Sequence, residues 1–400
     1  MGGLVCPNRG HLNTCACPPP SAPVEWANYS GAKGAAMHVG LFSESGTRGL
    51  DSAAATFDAD MQEIVLADKL GFSEVWIAER SSRSDRVAED LVTASNLMIA
   101  ALSKMTTKIK LGTGIRPLPY QHPFTVATEA AMCDQMSGGR YMLGWGGTKG
   151  LHGDHWAQMG ILDNEQRSMV YESVEYILKC FTSPEPFDFD GEYWHGKKIR
   201  ILPRPVQVPH PPIAAACSGS PETLEVAGRH GFLALMGRGS EPAESLAQWA
   251  ETYLNAANQA GRQGSRAAFR VAYQVYVSDT DEQAMRELRE GVVPWLQHRH
   301  DTQDSDGLMR FMKPEMTADQ YFDYLVERGT FFVGSPETVH DAIKSYYDRC
   351  GGFGGLLMFA GQGWTSAERW EHSCRLIAER IIPRLAVLDP DRTAATAPTS

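Results

Sequence analysis

The sequence has few features that would direct the chain to a membrane or out of the cell. None of its 400 residues belong to an apolar run approaching the roughly 20 residues that a membrane helix needs. The first 36 residues also lack the apolar core of a secretory signal. These absences predict a cytoplasmic protein with no membrane partner.

Paired cysteines are also missing. The eight cysteines are scattered and form no CxxC motif, which favours reduced thiols over a disulfide framework. Cys6, His11, Cys15 and Cys17 are of the types that bind zinc, but they lie in a Pro/Ala/Ser-rich segment without hydrophobic periodicity. We therefore predict no metal site.

The chain has no excess of positive charge. Its formal net charge is −11, which disfavours nucleic acid or an anionic membrane surface as the main partner. An apolar content of 43% is sufficient for a sizeable core. The balance favours a globular protein that acts on small molecules.

Short β-branched or aromatic runs alternate with amphipathic helical stretches. Eight such strands are expected, at 37–42, 74–78, 109–113, 140–144, 213–216, 232–236, 269–277 and 355–360. Eight β-then-α units predict a (β/α)8 barrel of the TIM type. An open, doubly wound sheet is the alternative, although no GxGxxG motif follows the first strand.

Two connections are too long to be ordinary loops. They are 148–212, after the fourth strand, and 280–331, after the seventh, and the second is interpreted as a lid over the barrel mouth. Polar composition predicts a disordered N-terminal extension at 1–36 and a flexible tail at 389–400. The barrel domain is therefore expected to span 37–388.

The pentapeptide GSPET occurs twice, at 219–223 and 334–338. Serine at the N-cap and proline at the first helical position predict that both copies begin helices. The first copy directly follows the strand IAAAC, so its loop contains Ser218, Gly219 and Ser220 and lies at the barrel mouth. Free N–H groups and hydroxyls there suit a phosphate. Glu222 must then point away, because it would repel an anion.

Two arginines have the chemistry to bind that phosphate. Arg167 lies near the start of a helix, and Arg204 lies in the segment ILPRPVQVP. His122 precedes another helix and is either a proton donor or a histidine hydrogen-bonded at the helix start. Gly146 and Gly147 permit close backbone approach to a ligand.

Several segments in the right order together resemble one family. They are GFSEVWIAER at 71–80, LGTGIRPLPYQHPFTVATEAAMCDQMSGGR at 111–140, SGSPETLEVAGRHG at 218–231 and GGFGGLLMFAGQGW at 351–364. The chain resembles the bacterial luciferase-like flavin monooxygenases, which include alkanal, terpene and diketocamphane monooxygenases, over nearly all of 37–388.

The resemblance implies a TIM-type barrel that binds reduced FMN supplied by a separate NAD(P)H:flavin reductase. Reduced FMN would react with O2 to a C4a-hydroperoxide, which transfers one oxygen atom. The substrate class implied is a small hydrophobic carbonyl, a terpenoid or an aromatic polyketide. A homodimer is also implied.

Site residues follow from the same resemblance. Arg167 and the loop after the fifth strand correspond to the family's phosphate-binding elements, and Gly114 and Ile115 to the bulge, often an unusual non-prolyl peptide, that supports the isoalloxazine ring. The full set of expected cofactor residues is Gly114, Ile115, Gly146, Gly147, Thr148, Arg167, Cys217, Ser218, Gly219, Ser220 and Trp364. Trp364 is expected against the ring or the substrate.

The sequence departs from the family at the catalytic histidine pair. Luciferases carry two histidines after the glutamate that corresponds to Glu79, whereas here Arg80 and two serines follow it. Arg80 can hold an anion but cannot act as a general base, because it stays protonated. Light emission is therefore not expected, and His122, His152 and Asp154 are the acid–base candidates.

Two alternatives remain open on these residues. The same fold with coenzyme F420 in place of FMN would make a hydride-transfer oxidoreductase. Loss of the histidine pair is also compatible with a non-catalytic flavin-binding protein.

Overall fold

The computed structural model describes residues 36–44, 52–79, 92, 94–147, 166–217, 219–238, 241–301, 307–361 and 363–391. Some residues singled out above lie outside these ranges: Arg80, Thr148, His152, Asp154 and Ser218. Most of the N-terminal extension, 1–35, and the last residues of the tail, 392–400, also lie outside them.

Twelve strands are present in the described ranges. They are β1 (His38–Ser43), β2 (Glu74–Ile77), β3 (Lys110–Thr113), β4 (Arg116–Pro117), β5 (Tyr141–Gly146), β6 (Phe187–Asp190), β7 (His195–Ile199), β8 (Ile213–Cys217), β9 (Leu233–Arg238), β10 (Phe269–Val277), β11 (Phe331–Gly334) and β12 (Gly355–Ala360). Parallel pairing in the order β1-β2-β3-β5-β8-β9-β10-β12 and back to β1 closes a ring. The predicted (β/α)8 barrel is confirmed, and its eight strands are those expected, within two residues at each end.

Helices surround this barrel. They are α1 (Ala53–Leu70), α2 (Ser95–Met105), α3 (Pro123–Ser137), α4 (Gln166–Thr182), α5 (Pro221–His230), α6 (Ala243–Gln259), α7 (Asp281–Asp301), α8 (Ala318–Glu327), α9 (Pro336–Cys350) and α10 (Ala367–Leu376), which continues through the π-helical turn Ile377–Ile381 into Ile382–Leu385. None of the helices in the described part of the chain is both long and apolar enough to cross a membrane.

Local capping explains where the helices begin and end. The Ser52 hydroxyl accepts a hydrogen bond from the Ala55 amide at 3.2 Å, and Gly71 ends α1 in the left-handed conformation. The Ser366 hydroxyl caps the last helix by accepting from Arg369 N at 3.3 Å. In both helices the capping hydroxyl accepts its hydrogen bond from the third amide of the helix.

The two long connections add structure around the barrel. The first contains α4 and an antiparallel hairpin of β6 and β7. The second contains α7 and α8, which form a separate apolar cluster with Tyr276, Phe331 and Trp364. The second insertion is thus a packed unit attached to the ends of β10 and β12.

A buried ion pair lies inside the barrel near the amino ends of its strands. Arg270 Nε on β10 lies 2.5 Å from Glu74 Oε1 on β2, and both side chains are almost completely buried. A Cβ atom at Gly355 would lie 2.6 Å from Arg270 Cδ, and one at Gly40 would lie 2.7 Å from Glu74 Cγ. The pair therefore needs glycine on both neighbouring strands.

Replacing Arg270 with methionine should destabilise the fold strongly. The Glu74 carboxylate would remain buried without its partner, at a cost of about 3–5 kcal/mol in the free energy of unfolding. Chemical denaturation measures this loss, and adding Glu74→Leu should recover part of it. The control Arg375→Met, which breaks the exposed pair with Glu371, should change stability by no more than about 0.5 kcal/mol. Equal losses for the two single variants would contradict this account.

Candidate functional site

Most of the predicted cofactor residues that the structure describes lie at the carboxyl ends of three neighbouring strands. Gly114 and Ile115 follow β3, Gly146 ends β5, and Cys217 ends β8. A Cβ atom at Gly146 would lie 3.0 Å from the Ile115 side chain and 3.1 Å from Ala216 Cβ. The strand ends are therefore in direct contact, and parallel barrels place their ligand sites at this face.

The bulge after β3 presents backbone to the barrel mouth. The peptide bond between Gly114 and Ile115 is cis. Gly114 N donates a hydrogen bond to Ile77 O at 2.7 Å, and a Cβ atom at Gly114 would lie 3.0 Å from Trp76 Cβ. A side chain at Gly114 would crowd the aromatic residues beneath it, so glycine lets the bulge lie directly on them.

Those aromatic residues are a part of the site that sequence reasoning missed. The Trp76 ring is buried, and Cβ atoms at Gly112 and Gly144 would lie 2.5 Å and 3.1 Å from it. Phe42 and Phe359 pack edge to face, with ring centroids 5.6 Å apart. The sequence signal for these residues was glycine inside β3 and β5. Glycine within a strand marks a position where another group packs closely against the backbone.

A buried ion pair holds the bulge in place from the side. Arg116 Nη1 lies 3.2 Å from Glu79 Oε2, and Arg116 Nη2 lies 2.9 Å from Glu129 Oε2. The Arg116 guanidinium also donates to Gln121, and Glu79 accepts from Ser95 Oγ at 2.7 Å. Because Arg116 follows Ile115 directly, these contacts fix the backbone of the bulge relative to β2 and α3.

Burial and hydrogen bonding act in opposite directions on the Glu79 carboxyl. Burial raises its pKa, whereas Arg116 and Ser95 act to lower it. Sequence reasoning noted Glu79 only as the residue preceding Arg80. In the structure the Glu79 carboxylate forms an ion pair with the buried guanidinium of Arg116.

The start of α5 meets the start of α4 at the edge of the mouth. Arg167 Nη1 on α4 lies 3.3 Å from Glu222 Oε1 on α5. Ser220 Oγ donates to Glu222 Oε2 at 2.8 Å. Gly219 has a φ of 86°, and a Cβ atom there would lie 2.7 Å from the Trp249 ring. The structure therefore places Arg167 beside the loop of Gly219 and Ser220.

Glu222 is oriented differently from the expectation. A phosphate at this loop requires the carboxylate to point away, yet it lies between Arg167 and Ser220. The physical reason is local charge, since the arginine and the hydroxyl provide a donor on each side of the carboxylate. The expected outward orientation is wrong for this structure.

The two GSPET copies differ in how their helices begin. Ser335 Oγ accepts from Thr338 N at 3.4 Å, so the second copy is capped as predicted. Its helix is also held by Asp281, which accepts from Ser335 N at 2.6 Å. In the described residues the Ser220 side chain makes no capping hydrogen bond to α5. The first turn of α5 thus keeps amide groups that its own serine does not satisfy.

His122 has a structural role at the start of α3. Its Nδ1 accepts from Phe124 N at 3.1 Å, and its ring packs against Trp194 and Tyr176 at centroid distances of 4.9 Å and 5.5 Å. Burial lowers the pKa of His122, which favours the neutral ring that capping requires. Of its two interpretations, the structure supports the histidine hydrogen-bonded at a helix start.

Arg204 does not reach the mouth. Its guanidinium donates to the carbonyls of Cys180, Phe181 and Ser183, at the carboxyl end of α4. Those carbonyls have no partner within the helix and attract a cation. Arg204 is therefore a helix C-cap, and the alternative role in phosphate binding is not supported.

Trp364 lies where the second insertion meets the barrel. Its ring packs edge to face on Tyr276, with centroids 5.7 Å apart, and it is 6% exposed. A Cβ atom at Gly291 of α7 would lie only 1.6 Å from Trp364 O. The glycine lets α7 lie directly on the segment after β12, so Trp364 connects the insertion to the mouth.

Fold and site together define a barrel enzyme with a ligand site at the carboxyl ends of its strands. The chain belongs to the luciferase-like monooxygenase family, whose model matches residues 37–351. It is similar to 4-hydroxyprotoasukamycin monooxygenase of Streptomyces nodosus subsp. asukaensis, at 30% identity over 330 residues, or 81% of this chain and 86% of that protein. The resemblance to this family is confirmed, and the protein is an oxygen-using oxidoreductase.

Solved structures agree with this assignment. The oxygenating constituent of 3,6-diketocamphane monooxygenase from Pseudomonas putida, a type II Baeyer–Villiger monooxygenase in complex with FMN, is 27% identical with a TM-score of 0.74. The alignment covers 87% of this chain and 99% of that one. A coenzyme F420-dependent tetrahydromethanopterin reductase from Methanopyrus kandleri is 18% identical with a TM-score of 0.62, covering 88% of this chain and 99% of that one, and shares the fold.

The two GSPET serines should differ in their effect on stability. Ser335→Ala removes a helix cap and should lower the free energy of unfolding by about 0.5–2 kcal/mol. Ser220→Ala removes no cap and should lower it by less than about 0.5 kcal/mol. Thermal or chemical denaturation of both variants compares them. A larger loss for Ser220→Ala would show that its hydroxyl caps α5 after all.

Proposed function

We propose that this protein is a reduced-FMN-dependent monooxygenase and the oxygenase component of a two-component system. It inserts one O2-derived oxygen atom into a small hydrophobic carbonyl, terpenoid or aromatic polyketide. The observation that carries the proposal is the meeting of the Gly114–Ile115 bulge, the end of β5 and the α5 loop with Arg167 at one edge of the barrel. The FMN complex of the diketocamphane relative supports the choice of cofactor.

The residues at this edge fit the two ends of FMN. Arg167, the Ser220 hydroxyl and the amide groups of the first turn of α5 would hold the phosphate. The Gly114–Ile115 bulge and Gly146 present little side-chain bulk, and would lie against a flat ring. Reduced FMN, when bound, supplies the electrons with which O2 is activated.

The chain itself supplies aromatic residues beneath the bulge and a buried ion pair beside it. Trp76 and Phe42 lie directly against Gly114 of the bulge, and Phe359 packs on Phe42. The Arg116–Glu79 pair holds the bulge at a fixed height above them. Such preorganisation is the contribution that a barrel makes to a cofactor enzyme.

Polar groups for the substrate are proposed from the sequence. Arg80 would hold a substrate anion, and His152 and Asp154 would move protons. Because His122 caps α3, it is the weakest of the acid–base candidates.

Two protein partners complete the proposal. A separate NAD(P)H:flavin reductase would deliver reduced FMN, as expected for a component enzyme. A second copy of this chain would cover Leu97 and Met132, which are 75% and 52% exposed on the adjacent helices α2 and α3. Light scattering of the full chain measures its molar mass and so tests the homodimer. We further propose that the protein is cytoplasmic.

A coupled assay tests the proposed reaction. The protein is incubated with a flavin reductase, NADH, FMN and isotopically labelled O2 in the presence of cyclic ketones, terpenes and aromatic polyketides. Mass spectrometry should find one labelled oxygen atom in a product, and omission of FMN should abolish that product. Turnover with reduced F420 and none with reduced FMN would establish the alternative cofactor. Flavin binding without any product across all substrate classes would favour a non-catalytic flavin-binding protein.

Removing the Arg167 guanidinium should weaken FMN binding. A charge-assisted phosphate contact contributes about 1.5–3 kcal/mol, so the dissociation constant of Arg167→Ala should rise roughly ten- to a hundredfold. Anaerobic calorimetry with reduced FMN measures the change. Arg380→Ala is the matched control, because Arg380 makes the equivalent contact with Glu337 of the second GSPET. The same affinity for both variants would remove Arg167 from the site.

A further inference from the structure

The proposed phosphate site already contains an anion of the protein itself. The Glu222 carboxylate accepts from Ser220 Oγ with one oxygen and lies 3.3 Å from Arg167 Nη1 with the other. These are the two side-chain donors that would hold the phosphate. The carboxylate thus lies where one edge of a bound phosphate is expected.

The second GSPET shows that this arrangement is not a general property of the motif. Glu337 occupies the same position in its helix and pairs with Arg380 at 2.8 Å. There, however, the serine hydroxyl caps the helix and accepts from Thr338 N. In the first copy the serine hydroxyl is directed to the glutamate instead, and helix α5 lacks that side-chain cap.

A carboxylate and a phosphate cannot share these donors without repulsion. Both groups are anionic, and each needs the Arg167 guanidinium as its counter-charge. Glu222 and Arg167 are both about half exposed, at 55% and 49%, so the carboxylate can rotate into solvent. Binding of a phosphate would therefore replace the Glu222 carboxylate as the partner of Arg167 rather than give Arg167 an additional partner.

We propose that Glu222 sets the affinity and specificity of the site for phosphorylated flavin by competing with the phosphate for Arg167 and Ser220. The inference rests on the proposed FMN function. The Glu222 carboxylate keeps Arg167 beside α5 when no flavin is bound. Because FMN must displace this carboxylate, the free energy of displacement is lost from FMN binding. An enzyme that receives its flavin from a reductase benefits, because the spent cofactor leaves more readily.

The test compares Glu222→Gln with the wild-type chain, and uses Glu337→Gln as the matched control. Dissociation constants for reduced FMN and reduced riboflavin are measured anaerobically by calorimetry. Glutamine keeps the size and the hydrogen-bonding capacity but removes the charge. Glu222→Gln should bind FMN about 1.5- to fivefold more tightly, the range of an exposed ion pair, and should bind riboflavin with unchanged affinity. Glu337→Gln should alter neither constant.

A double-mutant cycle with Arg167 separates this role from a general effect of charge. Arg167→Ala should cost more FMN affinity in the Glu222→Gln background than in wild type, because Arg167 then has no competing partner. Unchanged or weaker FMN binding by Glu222→Gln, or an equal gain for riboflavin, would overturn the inference while leaving the proposed function intact. No FMN binding by either protein would overturn the proposed function as well.

Discussion

The indole of Trp76 is completely buried, and the neighbouring strands β3 and β5 approach it at residues that carry no side chain. A Cβ atom at Gly112 would lie 2.5 Å from the ring, and one at Gly144 would lie 3.1 Å from it. The same residue supports Gly114, so the packing that closes the barrel also sets the height of the bulge. Interior packing and the shape of the site are therefore a single constraint, and neither can change without the other.

Strand periodicity and turn residues were enough to predict the barrel, because each strand and helix is specified by neighbours a few residues away. The same holds for Ser52, Gly71 and the second GSPET. The meeting of Gly114, Gly146 and Cys217 at the mouth also followed, since carboxyl ends of parallel strands share one face, whereas Arg167 was expected there only from the family resemblance. These features depend on local pattern and on topology.

The remaining features depend on partners that are distant in sequence. Nothing near Arg116 indicates that Glu79 would meet it, and nothing near Arg204 indicates the carbonyl groups of α4. Likewise, the orientation of Glu222 is decided by Arg167, which belongs to another helix. Two copies of one pentapeptide therefore begin helices alike but differ in the hydrogen bond of the serine, because tertiary neighbours select among the options that local sequence leaves open.

The contact between Gly291 and Trp364 also bears on the synthesis of the chain. Helix α7 is made well before the segment that contains Trp364, and that segment follows the last strand of the barrel. During translation the insertion can pack against β10 and β11, but Trp364, which completes its apolar cluster, emerges from the ribosome only after β12. The contact between α7 and the Trp364 segment is thus completed last, and a chain truncated before β12 would lack both the closed barrel and this contact.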